Sequence, residues 1–340
     1  IMTEFMQSVT QMLKEVALAK GRKKPFTLGV RVAESIEACW RSGVNIETWV
    51  ERDWIDYIVI STWNNTDPQL RVEQFAKFAK PQNVDLICVM GNMMGAVNSG
   101  PPFILDRPIA MSAKHAKSYM GMLLTESEAR GAAANFYTGG ADSISFWNVG
   151  IHFGSLATAT STQIERMQRW TSAVANKKAV FSGPRTYRYL PMGKGMSDRA
   201  PPLRNYPWYD EGYSPLGHKN SPPIHLGKAS VGQRHAFPFL MADGRHGEKL
   251  DGKLTLWVYL LESPTQLTID INGVQIPPEK VEAVKSGMRR GGIKGFRFEV
   301  ALSNCPSFKG DNELGLTLNM ANKADKIPYM EELEIVVVDD

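Results

Sequence analysis

The chain has 340 residues, 43% of them hydrophobic, enough to bury a large core and to form two domains. Its 39 basic and 35 acidic residues are interspersed and leave a net charge of +4, too weak a field to imply nucleic acid or an anionic membrane as partner. No apolar run reaches the roughly 18 residues of a membrane span, the opening segment reads as an amphipathic helix rather than an export signal, and no motif asks for a metal or a cofactor.

In chain order, Phe5, Met6, Val9, Met12, Leu13 and Val16 recur at helical spacing behind Thr3, a possible cap, and the cations of residues 20–24 close that helix. Residues 26–32 (FTLGVRV) form a short strand, residues 35–42 a brief helix and residues 45–52 a second helical turn. The strand 55–61 (IDYIVIS) follows, with Thr62, Trp63, Asn64 and Asn65 in the loop beyond it. Asp67-Pro68 then reads as an N-cap with proline at the first helical position, and that helix stops before Pro81. Residues 84–90 (VDLICVM) are apolar almost throughout, as in a strand covered on both faces, and Gly91 and Asn92 end it. A connection of over thirty residues comes next, long enough to be functional or to carry small elements of its own. Thr125 and Glu128 have the T-x-x-E spacing of a capping box, the apolar positions from Ala129 to Tyr137 lie on one stripe, and Gly139-Gly140 ends the helix. The strand 142–148 and an amphipathic helix over 161–175 complete this part. Cys39, Cys88 and Cys305 are odd in number, far apart and in apolar contexts, which fits small buried hydrophobes better than disulfides or a metal site.

Strands near 26, 55, 84 and 142, separated by helices, predict parallel strands joined by right-handed crossovers. Four such units are half of a (β/α)8 barrel. An open doubly wound sheet competes, but no G-x-G-x-x-G or P-loop supports a nucleotide site. Residues 184–222 change character, rich in proline and aromatics, and read as an extended connector. From 223 onward, short alternating strands separated by Gly, Pro, Asn and Asp turns predict an all-β, jelly-roll-like sandwich, with Asn272-Gly273 marking a tight hairpin. The expected organisation is therefore 1–183 barrel half, 184–222 connector and 223–340 sandwich.

The stretches FTLGVRV with Ser35-Ile36-Glu37, GVNIETW, DYIVI and above all RGAAANFYTGGADSISFWN resemble the C-terminal half of bacterial glycoside-hydrolase-like TIM barrels that carry a β-sandwich after the barrel. The resemblance covers roughly residues 3–150, and the sandwich by pattern only. It implies a protein acting on an oligo- or polysaccharide, with the principal acidic motif in a half that would precede Ile1. A non-catalytic carbohydrate-binding protein is the alternative, for which Trp257 and Tyr259, alternate on one strand, would offer a shared face. A chain that starts at Ile1 with four crossover units also exposes sheet edges, so either a homo-oligomer or a missing N-terminal half is expected to cover them. The compartment is left open.

In a barrel the site lies at the carboxyl ends of the strands. Those ends offer Arg31, Trp63, Asn64, Asn92, Trp147, Asn148 and His152, a set of indole faces and amide and guanidinium donors suited to a neutral polyhydroxylated ligand. Barrel packing is the competing role for the two tryptophans, an ion pair for Arg31 and a loop position for His152. Glycoside hydrolysis normally uses two carboxyls. Glu34 could face the mouth, but it equally suits the first turn of its helix, where the dipole favours a carboxylate. Asp67 reads as a cap, Asp142 starts its strand at the opposite end, and Glu126 and Glu128 belong to a helix start. No catalytic pair is therefore assigned from sequence.

Overall fold

The computed structural model describes residues 1–61, 66–91, 93–94, 122–146, 161–189, 224–227, 231–286, 293–324 and 326–338. Strands β1 (Gly29–Val32), β2 (Tyr57–Ile60), β3 (Asp85–Met90) and β6 (Ser143–Phe146) form one sheet in the order β1-β2-β3-β6. Every pairing is parallel, with Val32 opposite Ile60, Ile60 opposite Cys88 and Cys88 opposite Ile144. A two-stranded antiparallel piece, β4 (Met93–Met94) with β5 (Met122–Leu123), lies between β3 and β6 in the chain. Among the described residues β1 and β6 are outer strands, and no strand closes this sheet into a ring. The molecule is thus mixed α/β with several sheets.

Helices α1 (Met2–Ala19), α2 (Ile36–Arg41), α3 (Ile46–Glu51), α4 (Val72–Ala79) and α5 (Glu126–Gly139) alternate with these strands. Val32, Ile58, Ile60, Leu86 and Cys88 alternate along their strands toward one face, where they meet Val72, Phe75 and Ala79 of α4 and Ala129, Ala132, Ala133 and Phe136 of α5 in one apolar cluster. The other face is more open, because Arg31 and Ser145 are exposed and Val59 and Ile87 are half-buried. The predicted capping box is present: Thr125 Oγ1 accepts from the Glu128 backbone while Glu128 accepts from the Thr125 backbone. Thr3 is not a cap; the helix begins one residue earlier, and Thr3 Oγ1 accepts from Trp49 Nε1 at 3.3 Å. Helices α6 (Ser161–Ala173) and α7 (Lys177–Val180) follow β6. No helix among the described residues is long and apolar enough to cross a membrane.

The remaining strands make two antiparallel layers. One runs β13 (Glu282–Val284), β14 (Gly295–Ala301), β10 (Asp251–Tyr259), β16 (Tyr329–Val338), β7 (Arg185–Tyr189), with β8 (Ile224–His225) also on β16. The other runs β12 (Val274–Gln275), β11 (Leu267–Ile271), β15 (Asp311–Leu318), β9 (Arg234–Leu240). At the β11–β12 hairpin Asn272 and Gly273 both adopt positive φ, 55° and 80°, as a two-residue primed turn requires. Two details differ from the sequence reading. Strand β7 lies within the proline-rich stretch taken as connector, yet all five of its residues are buried and it pairs with β16. Trp257 and Tyr259 are 3% and 1% exposed in the middle of the larger sheet, so they form no ligand platform.

Strand β7 also packs against α5. Gly131 makes that approach possible, since a Cβ there would overlap the Thr186 carbonyl oxygen. At the same contact Arg188 is fully buried and gathers Glu128 of α5 at 3.0 Å, Glu332 at 2.5 Å and Glu334 at 3.7 Å.

Candidate functional site

The carboxyl ends of β1 and β2 bring together two buried acids. Glu34 stands just past β1 and ahead of its helix, because Ser35 is the N-cap and its Oγ accepts from the Ala38 N–H at 3.1 Å. The reading that placed Glu34 in the first helical turn is corrected accordingly. Asp67 lies in the segment after β2 and is no N-cap either: α4 begins at Val72, and Asp67 Oδ1 instead accepts from the Gln69 N–H at 2.8 Å in a local turn. Proline at 68 is compatible with that turn, which is why the Asp-Pro signal misplaced the helix start by four residues.

Glu34 is 8% and Asp67 3% exposed. Burial pushes the Glu34 carboxyl up to about 8, with the Asp67 carboxyl adding in the same direction. Burial likewise pushes Asp67 up to about 7, against the opposing pull of the Gln69 N–H and the Arg71 charge. Among the described residues Asp67 Oδ2 and Gln69 Oε1 have no hydrogen-bond partner. A carboxyl in such a place is favoured as the neutral acid.

Arg31 Nη2 donates to Ser61 Oγ at 2.6 Å across the ends of β1 and β2, and partial desolvation lowers the Arg31 pKa. Thr66 Oγ1 donates to the Gly91 carbonyl at 2.7 Å, tying the Asp67 segment to the end of β3. Of the residues singled out from sequence, Arg31 lies within β1 and Glu34 two residues beyond its end. Trp63, Asn64, Asn92, Trp147, Asn148 and His152 lie outside the described residues. Asp142 is at the opposite end, as expected, where it contacts Lys80 and accepts from the Leu86 N–H at 2.7 Å. Asp67 is the residue that sequence reasoning missed, since its burial comes from elements far away in the chain.

No family model matches the sequence, and no curated protein matches it. Among solved structures, a β-porphyranase of glycoside hydrolase family 86 from the human gut bacterium Bacteroides plebeius is similar at a TM-score of 0.22 and 9% identity, over 99% of this chain and 73% of that one. A likeness that low carries neither fold nor chemistry.

Proposed function

We propose that this chain belongs to a carbohydrate-active protein in which Glu34 is the proton donor to a leaving glycosidic oxygen. What supports this reading is one observation: Glu34 lies buried at the carboxyl end of a parallel strand, beside a second buried carboxyl on the neighbouring strand end. A general acid needs its proton at working pH, and removal from water together with a nearby carboxyl supplies that condition. Asp67, more deeply enclosed, adds to the cost of ionising Glu34 once it has itself lost its proton near pH 7. Arg31, within β1, offers guanidinium donors to saccharide hydroxyls. The finer picture, with these strands as one side of a (β/α)8-type ring gripping a sugar chain, belongs to the same proposal.

The test is reducing-end release from a panel of neutral polysaccharides, comparing the chain with Glu34→Gln and Asp67→Asn. Release that Glu34→Gln abolishes, and whose high-pH limb moves in Asp67→Asn, supports the assignment. Release unaffected by Glu34→Gln overturns the role of Glu34. Binding by calorimetry without release would favour a non-catalytic carbohydrate-binding protein, and neither binding nor release would overturn the saccharide reading altogether.

A further inference from the structure

The segment that carries Asp67 is fastened at two points to one end of the smaller sandwich sheet. Leu240, the last residue of β9, lies directly opposite Asp311, the first residue of β15. The Asn135 side chain, 7% exposed on α5, donates from Nδ2 both to the Pro68 carbonyl at 2.8 Å and to the Leu240 carbonyl at 3.0 Å. Arg71, three residues beyond Pro68, reaches Asp311 Oδ1 at 2.5 Å. Tyr189 of β7 donates to the same Leu240 carbonyl and rests on Phe237 and Phe239 at ring distances of 5.9 and 5.6 Å. One register pair of the sandwich is thus linked to the Asp67 segment twice, through Asn135 at Pro68 and directly at Arg71.

We infer that the sandwich is a working part of the carboxyl site, and that Asn135 and Arg71 are positioning residues that keep the Asp67 turn closed against the Leu240–Asp311 end of the sheet. The groups electrostatically coupled to Asp67 are Glu34 from the β1 end, Arg71 ahead of α4 and Tyr189 from β7. None of them supplies a donor to Asp67 Oδ2. Enclosure by the sandwich is then what keeps Asp67 protonated, and loosening the clasp admits water to it. The inference concerns the coupling of the two parts and stands whether or not the ligand is a saccharide.

The experiment is a carbon-detected NMR titration of the full chain labelled at aspartate carboxyls, with the Asp67 signal assigned by its loss in Asp67→Asn. Asn135→Ala should lower the Asp67 midpoint by about one unit or more, a tenfold loss of proton affinity. Asp311→Asn, which keeps the Arg71 charge, should shift it the same way by less, and Asn135→Ser, retaining one donor, should recover part of the shift. Should Asn135→Ala lower thermal stability while the midpoint stays within about 0.3 units, Asn135 is a packing residue only and the inference fails. If Asn135→Ala does not fold, Asp311→Asn decides alone: an unmoved midpoint overturns the coupling, and a lowered one supports it.

Discussion

Asp67 gives the sharpest prediction because its environment fixes both the sign and the size of a pH effect. The ordinary aspartate value is 3.8, and in the fold burial raises it to about 7. At about 1.4 kcal/mol per unit, a rise of roughly three units corresponds to about 4 kcal/mol. The folded state holds the proton to higher pH than the unfolded chain does, so stability is intact below the unfolded value and falls as pH rises toward the folded one. Between about pH 4 and pH 7 the chain should therefore lose about 4 kcal/mol through this residue, and lose nothing more from it above that range. Asp67→Asn keeps the acceptor used by the Gln69 N–H and removes the ionisation. Guanidinium unfolding at half-unit steps from pH 4 to 9 should show the variant overtaking the parent on the alkaline side, with a flatter dependence on pH. Glu34→Gln should act in the same direction over a window reaching about one unit higher, since its value is raised from 4.5 to about 8. Parallel pH profiles for parent and Asp67→Asn would refute the claim that this carboxyl is sealed from water and without a compensating donor.

Two further substitutions probe the contact between α5 and the sandwich. Gly131→Ala would ordinarily strengthen a helix interior by about 1 kcal/mol; here the new Cβ meets the Thr186 carbonyl, a cost of about 1–3 kcal/mol, so chemical denaturation should show net destabilisation, and a gain in stability would mean that the approach is looser than described. Arg188→Met takes away the cation shared by Glu128, Glu332 and Glu334 and should cost about 3–5 kcal/mol at neutral pH, with part of the loss recovered in acid as the carboxyls protonate. A loss under about 1 kcal/mol would show that other partners of those glutamates carry the charge balance.

The order and direction of the four parallel strands were legible because each rests on a local signal. Apolar runs of strand length alternate with helical stripes, so β1, β2, β3 and β6 fall within residues 26–32, 55–61, 84–90 and 142–148. The Thr125–Glu128 box and the Asn272-Gly273 hairpin were legible for the same reason: each is decided within four residues. Strand β7 was not, because its alternation of Arg, Thr, Tyr, Arg, Tyr mimics a polar surface strand; its arginines are buried with acids that arrive from elsewhere, Glu128, Glu332 and Glu334 at Arg188 and Asp243 at Arg185. The shared face of Trp257 and Tyr259 failed in the converse way: alternation puts both on one face of β10, but what packs there is set by residues distant in sequence, such as Tyr329, stacked on Tyr259 at 5.2 Å.

The candidate site divides along the same line. Chain position places Arg31 and Glu34 near a strand end, and local pattern could go that far. Whether a carboxyl near a strand end is a solvated cap or a reluctant acid depends on what encloses it, and enclosure is a property of distant residues. The residues that fasten the Asp67 turn are Asn135, which donates to the Pro68 carbonyl, and Asp311, which pairs with Arg71; both are distant in the chain and neither carries a motif. An Asp-Pro pair reads as a helix start in isolation because the exposed cap and the buried turn use the same acceptor-to-backbone bond. They part only in the second oxygen, which meets water in the cap and, among the described residues, meets no donor in the buried turn. That difference turns an ordinary capping residue into an acid that resists ionisation, and it is set by tertiary enclosure rather than by the Asp-Pro pair itself.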